Sequence, residues 1–243
     1  MSGDPRRAAW YTPRPGTWRD WLGVLHPPYT AWHLAYVLVG AGLAPHLSVG
    51  RLGATLLAFG LAVGVGAHGL DELRGRPLGT TIPAPRLAAV SALSIAGAVV
   101  VGALGVSRVG WGLVGFMAAG VVLVVAYNLE LGGLHNDVTF ALAWGAFPLL
   151  TAYYAQAGTL RPSAALGAVF AFGLSRAQRV LSTEARELRR RVATVTGAKR
   201  YGDGTSRSLS REALLRPVEA ALVALSWSTC ALGVALVVAR AGH

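Results

Sequence analysis

Seven apolar stretches, each about 20 residues long, run through this chain at roughly 29–48, 52–70, 86–106, 108–128, 138–157, 162–182 and 214–239. No other feature restricts the fold as much. A helix of about 20 residues crosses the ~30 Å hydrocarbon core of a bilayer, where only helices and closed barrels satisfy their own backbone polar groups. Proline and glycine punctuate the gaps, at Pro45, Pro83, Pro85, Gly132, Gly133 and Pro162. The chain is 53% hydrophobic and only 14% charged, which takes it out of the range of an ordinary soluble domain. Its mean hydropathy of +0.50 agrees. The expected fold is all-α: a polytopic transmembrane helix bundle of about seven helices. It forms one domain over 29–243, with a basic loop at about 183–213. Small residues inside the stretches, including Gly60, Gly64, Gly66, Gly112, Gly115 and Gly120, let helix backbones approach closely.

Residues 1–28 form a separate cytoplasmic or interfacial segment with Arg6, Arg7, Arg14 and Arg19 beside Trp10, Trp18 and Trp21. It lacks the long apolar run and small-residue cleavage site of a signal peptide. Trp18, Leu22 and Leu25 fall at helical spacing, which predicts a short interfacial helix stopped by Pro27 and Pro28. The basic residues concentrate on one side. The amino-terminal segment holds four, the 71–86 loop three and the 176–216 region eleven, together eighteen of the 22 in the chain. Positive loops stay in the cytoplasm, so the amino terminus is expected inside and, with seven spans, the carboxyl terminus outside. In a prokaryote this is the plasma membrane. A net charge of +11 placed between apolar stretches points to membrane topology and to anionic lipid or phosphate, not to nucleic acid. The one cysteine, Cys230, supports neither a disulfide framework nor a cysteine zinc site.

All eleven acidic residues fall on the expected cytoplasmic side or at its helix ends, and three polar clusters follow the even-numbered stretches. The first is HGLDELRGRPLGT, residues 68–80. Here Glu72 stands four residues after His68 and Asp71 three, so all three are candidates for one cavity-facing side. Pairing of Asp71 and Glu72 with Arg74 and Arg76 at the interface is the plainer alternative. The second is YNLELGGLHND, residues 127–137, with Tyr127, Asn128, Glu130, His135 and Asp137 as candidate substrate contacts. Asn136 or Asp137 is equally suited to cap the fifth helix. The third is SRAQRVLSTEARELRRR, residues 175–191. Guanidinium groups bind phosphate bidentately, so Arg176 and Arg179 suit a diphosphate. Arg189, Arg190 and Arg191 have the character of a solvated cytoplasmic helix. Carboxylates with arginine neighbours above an apolar cavity suit a magnesium-bridged diphosphate whose hydrocarbon tail lies between helices.

The run WLGVLHPPYTAWHLAYVLVGAGLAP (21–45), then GVGAHGLDELRGRPLGTTIP (64–83), a fourth helix ending in tyrosine, and ALAWGAFPLLTAYYAQAG (141–158) resemble, in this order, the UbiA superfamily of intramembrane prenyltransferases. The resemblance covers about three quarters of the chain. It implies transfer of a prenyl group from a prenyl diphosphate, with Mg²⁺ held by an Asn-Asp-x-x-Asp-x-x-x-Asp motif after the second helix and an Asp-x-x-x-Asp motif after the sixth. Laid on this chain, His68 takes the Asn position, Gly69 the first Asp and Glu72 the next, with Asp71 as an added carboxylate. The last Asp has no counterpart. Glu184 and Glu187 are the only carboxylates of the sixth-helix region. The resemblance therefore implies His68, Asp71 and Glu72 as catalytic residues and Asp71, Glu72, Glu184 and Glu187 as metal ligands. Arg74, Arg76, Arg176 and Arg179 would hold phosphate, while Tyr127, Asn128 and Glu130 would border the acceptor. Two alternatives accompany it: a catalytically degenerate relative with a lipid-binding, transport or assembly role, and a membrane enzyme using the histidines and carboxylates for a transition metal.

Overall fold

The computed structural model describes residues 17–242, and among them eight helices carry the chain. They are α1 (Thr17–Val24), α2 (Pro27–Leu43), α3 (Val49–Leu73), α4 (Ala84–Val109), α5 (Gly112–Asn128), α6 (Asp137–Ala157), α7 (Pro162–Arg190) and α8 (Arg211–Ala241). A short antiparallel hairpin, β1 (Ala198–Arg200) and β2 (Ser206–Ser208), stands between α7 and α8. Four helices, α3, α4, α6 and α8, are long and apolar enough to cross a membrane. Their outward faces are apolar too: Leu93 and Val100 on α4, and Trp227, Val234 and Val238 on α8, are all exposed. Such exposure is costly in water and suits lipid. Arg6, Arg7 and Arg14 of the amino-terminal charge cluster, and Trp10 beside them, lie outside the described residues.

The helix ends follow from local chemistry. The interfacial helix expected around Trp18 and Leu22 is α1, and it ends at Val24. Pro27 and Pro28 do more than stop it. They occupy the first turn of α2, where a missing N–H costs nothing, and His26 precedes them in a left-handed conformation at φ 43°. α2 stops at Leu43, short of the expected 48, because Pro45 disfavours a helical residue before it. Ser48 then caps α3 by accepting from the Arg51 amide at 3.4 Å. Asn136 caps α6, accepting from the amides of Val138 at 3.0 Å and Thr139 at 2.9 Å, so capping is its role in the second polar cluster.

At the centre, α2 packs between α6 and α8. Gly40 lies directly under the Leu149 carbonyl of α6, and any Cβ there would collide with backbone. Gly233 on α8 faces the Ala35 carbonyl in the same way. Buried polar side chains tie α2 to its other neighbours. Trp32 Nε1 donates to the Tyr36 hydroxyl at 2.6 Å, and that oxygen also accepts from Ser175 Oγ of α7 at 3.1 Å. His33 Nδ1 meets the Trp144 carbonyl of α6 at 2.8 Å. Both long helices flanking the core contain a π-helical stretch, Gly60–Ala67 in α3 and Leu142–Ala146 in α6. Val63 and Ala67 from the first and Ala143 and Trp144 from the second meet in one buried cluster with Val124 and Tyr127 of α5. π-Helical turns are rare and concentrate near functional sites, and residues of this cluster line two cavities, with Val63 and Trp144 common to both.

Candidate functional site: a basic chamber beside an apolar groove

The loop joining α3 to α4 shapes the first cavity, and Glu72 holds that loop. Glu72 is 1% exposed. One of its carboxylate oxygens accepts from the Thr80 amide at 2.9 Å and the Thr80 hydroxyl at 2.8 Å, and the other from the Leu78 amide at 3.0 Å. Arg76 closes the loop from the other side, donating to the Ile82 carbonyl at 2.6 Å and the Thr80 carbonyl at 3.3 Å. Asp20 of α1 pins it further, accepting from the Thr81 amide at 3.0 Å and hydroxyl at 2.6 Å. Gly75, Arg76 and Gly79 all adopt positive φ, which is how so short a segment turns back on Glu72.

Behind this loop lies a chamber of about 230 Å³ lined by the ends of α3, α5 and α7, the start of α2 and the loop residues Pro77 and Leu78. The three polar clusters contribute to it together: His68 and Asp71 from the first, Tyr127, Asn128 and His135 from the second, and Arg179 from the third. The remaining expected site residues stand elsewhere. Arg74 pairs with Glu130 at 3.3 Å, both about half exposed. Asp137 pairs with Arg176 at 3.0 Å and Arg179 at 3.1 Å outside the chamber wall. Glu184 and Glu187 are exposed on α7. Asp71 and Glu72 part company for a geometric reason. Successive residues of a helix diverge by about 100°, and here Asp71 lines the chamber while Glu72 turns into the loop.

Several lining residues escape the sequence reading. His26, Tyr29 and His33 enter from the start of α2, and Gln178, Ser182, Arg186, Arg189 and Arg190 from α7. The α7 set carries a signal that was available: Ser175, Gln178, Ser182 and Arg186 recur at three- and four-residue spacing, a polar stripe along one helix face. Arg189, expected to be solvated, is buried and forms an ion pair with Glu219 of α8, whereas Arg190 is exposed as expected and lines the chamber from its edge.

The chamber is strongly basic. Four arginines line it against one carboxylate, Asp71. Arg179 stacks on the Phe140 ring, 5.1 Å from its centroid, while its Nε is held by Asp137. Burial pulls the Arg186 guanidinium below its usual pKa, and the adjacent positive Arg179 adds to the effect. Burial also lowers the His26 imidazole well below its usual range, with His68, Arg190 and Arg186 pushing the same way. The His68 ring lies 4.7 Å from that of His26. His135 stacks on Tyr127 at 4.4 Å and faces the Tyr127 carbonyl through Nδ1 at 3.1 Å, which makes Nδ1 the donor. Two buried polar atoms on the wall have no hydrogen-bond partner: the Tyr127 hydroxyl and Gln178 Oε1. Buried polar groups are nearly always satisfied, so these atoms are open to water or to a polar ligand group in the chamber.

A far larger groove, about 870 Å³, runs from Arg51 and Arg108 at the opposite end of the bundle to Val63 and Trp144, residues that also line the chamber. Ala58, Phe59, Ala98, Val99, Phe116 and Met117 typify its lining. Its volume suits a ligand-sized apolar body.

Magnesium takes hard oxygen donors, usually one or two carboxylates with phosphate oxygens and water. In the chamber Asp71 stands alone, because the Glu72 oxygens are occupied by the loop and Glu184 and Glu187 lie outside. Among the described residues no group of three or more His, Cys, Asp or Glu is placed to hold a metal ion. These donors do not fit a two-motif magnesium clamp. Comparison of the chain with protein-family models, with curated proteins and with solved structures gave no match.

Proposed function

We propose that this protein is a UbiA-like intramembrane prenyltransferase, or a related isoprenoid enzyme, acting on a prenyl diphosphate within a bundle of seven spans whose basic end faces the cytoplasm. One observation carries the reading. A small chamber with four arginines and an unpartnered buried tyrosine hydroxyl shares the wall residues Val63 and Trp144 with an apolar groove about four times its volume. Such a site matches a lipid with a short anionic head and a long hydrocarbon tail. In the reaction, the carbon–oxygen bond to the diphosphate breaks, the electron pair leaves with the diphosphate, and an acceptor nucleophile attacks the allylic carbon. Arginines aimed at the departing oxygens stabilise the developing charge, and the apolar wall keeps water from the cation. In this reading Asp71, the one carboxylate among the chamber's lining residues, takes the proton released by the acceptor.

The sequestered Glu72 favours a second reading, in which the site binds its lipid without chemistry. The two separate on one experiment. Purified protein is incubated with radiolabelled farnesyl or geranylgeranyl diphosphate and an extract of membrane acceptors. Release of diphosphate with transfer of label to a new lipid, lost in Asp71→Asn, supports the transferase. Binding with no release would leave only the lipid-binding protein, and no binding would refute both.

A further inference from the structure

The reading above inherits from the family resemblance a divalent cation that the chamber is poorly built to hold. We propose that the chamber grips its diphosphate directly with guanidinium groups, Arg179, Arg186 and Arg190 of α7 forming a metal-free cradle. The inference rests on the prenyl diphosphate reading of the chamber and adds how the head group is held.

Charge placement carries the argument. A metal clamp needs carboxylates that would otherwise repel a diphosphate, and such carboxylates point into the site. In this chain Glu72 points into its own loop, where three donors at 2.8–3.0 Å occupy it. The chamber's cations exceed its anions instead. Glu219 neutralises Arg189, and Asp137 shares its charge between Arg179 and the outlying Arg176. Arg186 hydrogen-bonds to the Thr183 hydroxyl at 3.1 Å. Among the described residues neither Arg186 nor Arg190 has a carboxylate partner, although both line the chamber. Arg186 is half-buried and Arg190 exposed at the chamber's edge; a partly buried cation without a counter-ion, as Arg186 is, is expensive to maintain and becomes favourable once an anion enters. The Tyr127 hydroxyl, 4% exposed as a residue and unpartnered, adds a neutral donor on the same wall. Guanidinium forks engage phosphate oxygens in pairs, which gives the cradle directional grip as well as charge.

The test is calorimetric binding of farnesyl diphosphate to the full-length protein in detergent, run in excess EDTA and again in excess Mg²⁺. The cradle predicts dissociation constants that agree within about threefold between the two conditions. Arg186→Gln and Arg190→Gln are each expected to weaken binding about tenfold in EDTA, and Arg186→Lys to recover part of the loss because charge survives without the fork. Thermal melting without ligand verifies that each variant is folded, and the two glutamine variants are independent of one another. Binding that requires Mg²⁺ and disappears in EDTA would overturn the cradle and leave the prenyl diphosphate reading intact. Absence of binding in both conditions would remove that reading as well. Tight binding in EDTA that ignores both glutamine variants would place the head group elsewhere and overturn the cradle. Phosphatidic acid is run alongside: binding of it but not of farnesyl diphosphate would assign the arginines to a membrane phospholipid and refute the proposal.

Discussion

The two cavities meet at Val63 and Trp144 and are held together in opposite ways. The chamber depends on a hydrogen-bonded loop, on charges brought from α3 and α7 and on the neutral polar groups of Tyr127 and Asn128 from α5. The groove depends on small and apolar residues of α3, α4, α5 and α6, and its polar anchors sit only at the far rim, where Arg51 donates to the carbonyls of Ala155 at 3.3 Å, Gln156 at 3.0 Å and Arg108 at 2.5 Å. Arginine thus has two uses in one molecule. At the rim its donors are spent on backbone, and in the chamber several stay available to a ligand. Substitutions should therefore separate stability from binding according to region.

The largest effect is expected at Glu72. Glu72→Ala removes a buried carboxylate and strands two backbone amides and a hydroxyl in a half-buried loop, and should cost about 2 kcal/mol of stability, measured by thermal or denaturant unfolding in detergent. A melting curve unchanged from the parent would show that the loop does not depend on this carboxylate. Next comes the groove. Ala58→Trp places a large ring among its lining residues and should weaken geranylgeranyl diphosphate binding about tenfold, roughly 1.4 kcal/mol, with inorganic diphosphate unaffected. Equal loss for both ligands would mean that head and tail do not occupy separate compartments. At the rim, Arg51→Gln should cost about 1 kcal/mol of stability and leave diphosphate affinity as it is. The smallest effect concerns pH. His26 has a lowered pKa in the fold, so the unfolded chain binds its proton first as pH falls. Its contribution to stability is therefore present above the unfolded value near 6.5 and declines below it, by at most ~1.4 kcal/mol per pH unit. His26→Asn keeps a side chain that tolerates the left-handed backbone. It should flatten the fall in melting temperature between about pH 7 and 5, and an unchanged slope would assign that fall to other groups.

Much of the architecture was legible because bilayer-length apolar runs have few other ways to fold, and α3, α4, α6 and α8 occupy the stretches expected for them. The convergence of polar clusters was legible in part. His68, Asp71, Tyr127, Asn128, His135 and Arg179 do line one chamber. What failed was orientation at single-residue resolution. Spacing alone treats Asp71 and Glu72 as equivalent neighbours of His68, whereas the positive-φ turns at Gly75, Arg76 and Gly79 carry the loop back to claim one of them. Arg189 looked like a sorting charge because a run of arginines has no visible face until α7 is seen to continue unbroken to Arg190, which turns Arg189 inward and leaves Arg190 exposed. His26 and His33 gave no local pattern at all, and only the packing of α2 against α6 brings His33 to Trp144.

The central claim is that chamber and groove are one amphipathic site. Photo-crosslinking tests it most directly, using a farnesyl diphosphate analogue with a diazirine at the tail end and mapping the labelled peptides by mass spectrometry. The account predicts label on the groove segments around Ala58 and Ala98, suppressed by excess inorganic diphosphate. Label spread over the outward-facing Val169, Trp227 and Val234, indifferent to inorganic diphosphate, would contradict it.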